Sequence, residues 1–324
     1  MARKLAMVAM AVAVGWPGMA AAQAELAELL APMRGGFEPR LELRGALLGE
    51  SGDAGEEVRE NEELLSLRVP LGHDERSAWA GTARVMRLGF TGDARLAESD
   101  RRLPPDLWDI SAGAVYRRSL GERRGWGGNV AVGSASDEPF DSARELEVRA
   151  NAYYMIPSGE TNAWLFVATY SNTREFLRNV PLPSAAYLYR PSQKLTALFG
   201  VPLWVDWRPN DRFGLQASFF PVRSVNLRGT VRVAKTTRVF AGLESRYHGF
   251  LLAGREERED RLFAFDRRLL AGLAYGSPRA FLLELSGGWA FDRQVFLGRK
   301  WDDDADRVEL DSAPFLTLRL TARL

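Results

Sequence analysis

The chain has 324 residues, 46% of them apolar, which is enough to bury a sizeable core and too apolar for a disordered tail. Its 43 Lys and Arg against 42 Asp and Glu leave a formal charge of +1, which excludes the basic footprint that nucleic-acid binding requires. There is no cysteine, so disulfide scaffolds, thiolate metal sites and cysteine nucleophiles are excluded, and two histidines remain for metal or acid–base chemistry.

At the amino terminus Arg3 and Lys4 precede the apolar run Leu5 to Val14, then Gly15, Pro17 and Gly18, then Ala20, Ala21 and Ala22. Positive, apolar and small-residue zones in this order predict a secretory signal peptide over 1–22, with Ala24 as a second cleavage position. The apolar run is about ten residues, half of what a spanning helix needs, and no later uncharged stretch reaches the roughly 18 residues of a transmembrane helix. Residues 23–38 form a short segment with Leu26, Leu29, Leu30 and Met33 at helical spacing, expected at the periplasmic mouth or in the lumen. Strands begin near Pro39, which leaves no length for a plug domain.

The rest of the chain alternates. A strand sends successive side chains to opposite faces, so a wall with one polar face reads apolar, polar, apolar. Leu146, Val148, Ala150, Ala152, Tyr154 and Ile156 alternate with Glu145, Glu147, Arg149, Asn151 and Tyr153. Val225 to Val233 and Leu316 to Leu324 repeat the split, and a helix would smear these charges around every side. Such runs number about fourteen: near 40–49, 62–71, 78–90, 107–119, 126–136, 143–156, 162–172, 194–208, 212–222, 224–233, 238–247, 265–275, 280–291 and 314–324. Many exceed the five or six residues of soluble strands and match the roughly nine to eleven of a tilted membrane strand. The expected fold is therefore all-β, an antiparallel up-and-down transmembrane β-barrel over 39–324 of about fourteen strands. Joining 212–222 to 224–233 would give twelve as the fallback even count.

Long connections (50–61, 91–106, 173–193, 248–264 and 293–313) mostly alternate with short turns such as Pro157-Ser158-Gly159, Pro209-Asn210-Asp211 and Gly276-Ser277-Pro278. Tight periplasmic turns and longer outer loops have this rhythm. Trp79, Trp108, Trp126, Trp164, Trp204, Trp207 and Trp289 lie in or beside the strands, as interfacial girdles or as core. The last strand has the full alternation of a barrel-assembly signal but ends in Leu324 rather than an aromatic residue.

The run Gly133 to Phe140, the strand Asn162 to Phe166, and the loop Ser171 to Phe176 followed by Val180-Pro181-Leu182-Pro183 resemble an uncharacterised bacterial outer-membrane β-barrel family. That resemblance extends from about residue 60 to the end. It implies a fold and an outer-membrane location, and it brings no catalytic residues.

With the apolar face against lipid, the lumen receives Arg84, Arg117, Glu145, Glu147, Arg149, Asp206, Arg228, Arg232, Glu244, Arg246, Glu284, Arg319 and Arg323. They are the candidate selectivity residues of a passive channel for small hydrophilic solutes, or the salt bridges of a structural or surface-binding barrel with an occluded lumen. A third reading, an outer-membrane hydrolase, would use His248 with Glu256, Glu257, Glu259 or Asp260 from the loop beyond it. His73 falls in a turn. Asp302, Asp304 and Asp306 are weak candidates for a divalent ion, lacking the Gly and distal Glu of an EF-hand loop. No cofactor is expected. The expected partners are outer-membrane lipid and lipopolysaccharide, the barrel-assembly machinery during insertion, and small solutes.

Overall fold

The structure, a computed structural model, describes residues 36–50, 58–175, 177–220, 224–255, 257–277, 280–300 and 306–324. The expected signal peptide, nearly all of the 23–38 segment, and Asp302 and Asp304 lie outside the described residues. Every regular element among those described is a strand: β1 (Arg40–Leu48), β2 (Arg59–His73), β3 (Ser77–Thr91), β4 (Asp106–Gly121), β5 (Arg124–Ser136), β6 (Leu146–Ser158), β7 (Asn162–Ser171), β8 (Leu182–Ser192) and β9 (Leu195–Phe199). They continue with β10 (Leu203–Trp207), β11 (Phe213–Phe220), β12 (Ser224–Arg232), β13 (Thr237–Phe250), β14 (Arg261–Ser277), β15 (Phe281–Gly298), β16 (Asp306–Leu310) and β17 (Ala313–Arg323).

Consecutive strands from β1 to β16 pair antiparallel, and β17 pairs with both β15 and β1, so the sheet closes without an edge. Because β16 and β17 both pair with β15, they are two pieces of one strand, and the wall has sixteen strands. The expectation of about fourteen falls short at two places. β8 lies inside the expected outer loop 173–193, where Pro183 and Pro191 break an otherwise alternating run. The expected single strand 194–208 is two, β9 and β10, turned back by Gly200, Val201 and Pro202. The doubtful link near Arg223 joins two separate strands, with Phe220 opposite Ser224, although residues 221–223 are outside the described residues.

The period of two divides the wall cleanly. Leu43, Leu47, Leu65, Val69, Leu269, Leu273, Leu316 and Leu318 are exposed on the outside, while their neighbours in sequence turn to the axis. A band of exposed leucine around a closed cylinder would be insoluble in water and is at home in hydrocarbon. Trp79, Trp126, Trp164, Trp207, Phe213, Tyr275 and Phe281 stand exposed near the end of the barrel that carries the short turns. Trp79 packs on Tyr116 at 4.2 Å and Tyr116 on Trp126 at 5.0 Å between ring centres, forming an aromatic belt. Trp204 takes the other expected place and faces the interior.

The turns are built as their sequences require. Between β2 and β3 the Asp74 carboxylate accepts hydrogen bonds from the Arg76 and Ser77 amides, both at 2.7 Å, and from the Ser77 hydroxyl at 2.6 Å. Those hydrogen bonds, the Ser77 hydroxyl's first, draw the Asp74 carboxyl down to about 2. Between β10 and β11 the Asn210 side-chain oxygen accepts from the Arg212 and Phe213 amides, both at 2.9 Å. Gly288 is a close-approach position, since a Cβ there would overlap the Leu269 carbonyl oxygen of the neighbouring strand.

Candidate functional site

The interior has two storeys. On the side of the long connections, Leu64, Met86, Leu88, Phe90, Leu107, Phe250, Leu252, Leu262 and Val295 pack into one apolar core with Ala94, Leu96 and Leu103 from the β3–β4 connection. That connection, expected as a longer outer loop, is a small inward hairpin: Leu96 N–H donates to the Arg101 carbonyl at 2.9 Å and Leu103 N–H to the Ala94 carbonyl at 3.0 Å. Asp306, a weak metal candidate, instead holds this hairpin by accepting from the Glu98 and Ser99 amides at 2.9 and 3.2 Å. Among the described residues no cluster of three or more His, Asp or Glu could hold a metal ion.

The β13–β14 connection crosses the barrel. Leu251 N–H donates to the Ala135 carbonyl at 2.7 Å, forming a parallel bridge between the ends of β13 and β5. Arg255 then reaches Glu145 at 3.3 Å and the Arg144 carbonyl at 2.9 Å. Glu145 therefore precedes β6 rather than lying on it, and anchors the crossing segment at the outer end instead of lining open space. Burial alone would raise the Glu145 carboxyl, but hydrogen bonds from Ser142 and Arg255 outweigh it and hold the group below the usual carboxylate range. Beside this bridge the wall is low: β9 and β10 have five residues each, about 16 Å at roughly 3.3 Å per residue, against 17 and 18 in β14 and β15.

Towards the turn end lies a chamber of about 470 Å³. Nine arginines and three glutamates line it, and among the expected lumen residues these include Arg84, Arg149, Arg228, Glu244, Arg246, Glu284 and Arg319. Facing strands place opposite charges across the ladder, Glu284 against Arg319, Glu244 against Arg268 and Arg246 against Asp266. Carboxylates are shared. Glu62 takes both Arg44 and Arg246, and Asp109 takes Arg84 at 3.3 Å and Arg149 at 3.6 Å. Glu60 takes Arg268 at 3.5 Å and Arg293 at 3.2 Å, and Glu284 takes Arg228 as well as Arg319 at 3.5 Å.

Six expected residues lie away from the chamber lining: Glu145, Arg323, which pairs with Glu38, and Glu147, Asp206, Arg232 and Arg117. Glu147 is buried behind it, accepting from the Thr173 hydroxyl at 2.7 Å and pairing with Arg149 at 3.6 Å. Asp206 pairs with Arg208 at 2.7 Å near the turn end, and Arg232 is exposed at the same end. Arg117 lies over the Phe37 ring at 4.5 Å and donates to the Gly36 carbonyl at 3.0 Å, so the first described residues enter the turn-side mouth. Glu42, Arg44, Glu60, Glu62, Asp109, Asp266, Arg268 and Arg293 were absent from the expected set. Most of them hold the inward parity of an expected strand, so the same alternation marks them.

His248 is inside the barrel, with Nε2 3.4 Å from a guanidinium nitrogen of Arg246. The carboxylates expected to orient it are engaged elsewhere: Glu259 with Arg178 at 3.0 Å, and Glu257 and Asp260 with Arg299 at 3.9 and 3.4 Å. The Glu256 side chain is outside the described set. A His–carboxylate pair as a hydrolase needs it is not formed by these described groups.

No family model and no curated protein matches the sequence. Solved structures similar to the chain include an outer-membrane channel from Pseudomonas putida F1, 13% identical over 90% of this chain and 98% of that one, TM-score 0.37. The translocator domain of the autotransporter NalP from Neisseria meningitidis is 11% identical over 95% and 99%, TM-score 0.34. OccK2 from Pseudomonas aeruginosa, solved with glucuronate, is 10% identical over 89% and 98%, TM-score 0.32. Likeness at this level carries no activity from those proteins to this chain.

Proposed function

We propose that the chain is a passive channel of the bacterial outer membrane for small hydrophilic solutes, closed at its outer end by the inward β3–β4 hairpin and the crossing β13–β14 segment. The observation that carries this is the chamber of about 470 Å³ inside a wall whose outer face is leucine. Keeping charged groups around unfilled space is costly for a barrel with only a scaffolding role, because apolar side chains could fill the same volume at comparable or better stability. The aromatic belt at the turn end supports a membrane setting with that end periplasmic. Export by a cleaved signal peptide, insertion by the barrel-assembly machinery and contact with lipopolysaccharide belong to the same proposal. Arg84, Arg149, Arg228, Glu244, Arg246, Glu284 and Arg319 would set selectivity.

The apolar core at the outer end favours a second reading, a surface-binding barrel that passes nothing. Flux separates the two. Liposomes carrying the purified chain should release trapped arabinose faster than protein-free liposomes, slowly because the closed state dominates. Release at the protein-free rate would replace the channel with the occluded barrel.

A further inference from the structure

We propose that the chamber binds a small organic anion, a carboxylate with an apolar body, at the Arg228–Glu284–Arg319 corner. This inference names the solute class of the channel proposed above and rests on that reading for its role, though not for its measurement. Glu284 is 9% exposed at its side chain, whereas the two guanidiniums flanking it are 31% and 33% exposed. One negative charge is turned to the wall, and two positive edges face the space. Each guanidinium carries five N–H donors in a plane. Arg228 gives Nη2 to Glu284, and Arg319 gives Nη1 to Glu284 and stands in an ion pair with Glu42, Nε to carboxylate oxygen 2.9 Å. Donors therefore remain on both for a planar carboxylate, the shape that a guanidinium fork matches best.

The same asymmetry recurs higher in the chamber. Glu62 is 1% exposed between Arg44 at 17% and Arg246 at 6%, and Asp109 is 12% exposed between Arg84 at 17% and Arg149 at 19%. At these three sites the space meets guanidinium rather than carboxylate. Glu244 is the one exposed carboxylate of the lining, 34% exposed with Arg246 at 3.9 Å. At the Arg228–Glu284–Arg319 corner the carboxylate is turned to the wall, so a cation entering there would meet donors and lose hydration without replacement. Beside this corner the lining offers apolar surface: Phe240 lies under the Arg228 guanidinium at 3.7 Å, and Leu270, Phe315 and Trp204 also line the chamber, with Asn226, Ser286 and Thr317 as polar neighbours. A chamber of this volume is within the range that holds a small ligand and largely buries it.

The test is ligand-observed NMR on the full chain in detergent, titrated with sodium benzoate, inorganic phosphate or benzylammonium chloride. Benzoate should bind saturably, phosphate more weakly and benzylammonium not at all. R228Q/R319Q should lower benzoate affinity at least about tenfold, equivalent to about 1.4 kcal/mol. R228K/R319K, which keeps the charge and loses the planar fork, should recover only part of it. Equal binding of benzylammonium, phosphate binding as tight as benzoate, or unchanged benzoate affinity in the Gln variant would overturn the proposal. The comparison of the three probes on the unaltered chain decides even if the Gln variant fails to insert. Because no flux is measured, binding without conduction would contradict the channel and leave this site standing.

Discussion

Replacing residues 93–102 by a short Gly-Ser linker should raise the open probability of the barrel in a planar bilayer about a hundredfold. The segment is not a solvated loop: Ala94, Leu96 and Leu103 are 4%, 2% and 5% exposed within the outer core. It is fastened at its tip, where Asp306 accepts two of its amides and Ala97 N–H donates to the Arg307 carbonyl at 3.3 Å. Burying one leucine is worth about 1.5–3 kcal/mol, so loss of Leu96 and disengagement of Leu103 remove about 3 kcal/mol or more from the closed state. At about 1.4 kcal/mol per factor of ten, that corresponds to the hundredfold change. Discrete openings should appear in the trimmed chain at voltages where the unaltered chain is mostly silent. Identical traces from the two chains would mean that this hairpin does not close the lumen.

The second large effect belongs to Glu62. Its carboxylate, 1% exposed, is shared by Arg44 and Arg246, both well inside the wall. Glu62→Gln keeps the volume and removes the charge, leaving two guanidiniums with one fewer anion between them. Removing one partner of a buried pair costs about 3–5 kcal/mol, because the remaining charge stays desolvated. Arg246 has Glu244 at 3.9 Å as a second partner and Asp266 opposite it in the ladder, which places the expected cost at the lower end, about 3 kcal/mol. The heat-dependent gel shift of the folded barrel should move to a clearly lower temperature. Glu63→Gln is the matched control one residue away: Glu63 faces outward, 62% exposed at its side chain, 3.5 Å from Arg87, and exposed pairs contribute about 0–1 kcal/mol. Equal midpoints for the two variants would remove the shared carboxylate from the account.

The wall was legible in the sequence because its rule is local. Leu316, Leu318 and Leu320 point out and Thr317 and Arg319 point in for the same reason that any strand alternates, and no distant contact is needed to see it. What misled was local too: prolines at both ends of β8 read as loop, and the continuous apolar stretch over Leu195 to Trp207 concealed a turn at Gly200 to Pro202. The outer closure was not legible. It depends on Leu251 meeting Ala135 and on Asp306 meeting Glu98, contacts 116 and 208 residues apart in the chain, between segments whose own periodicity is absent. Sharing of carboxylates was hidden similarly, since the inward parity of Glu62 says that it faces the axis but not which two arginines reach it.

The proposed channel requires a chamber entered from the turn end and closed at the loop end. The chain has no cysteine, so a single Ser66→Cys, at a position lining the chamber, reports on it alone. The decisive measurement is the rate at which a charged, membrane-impermeant thiol reagent modifies that residue when applied to one face at a time of an oriented bilayer. Modification should be rapid from the face carrying the short turns, with protection from the other. Equal rates from both faces, or modification from the loop face alone, would contradict that arrangement.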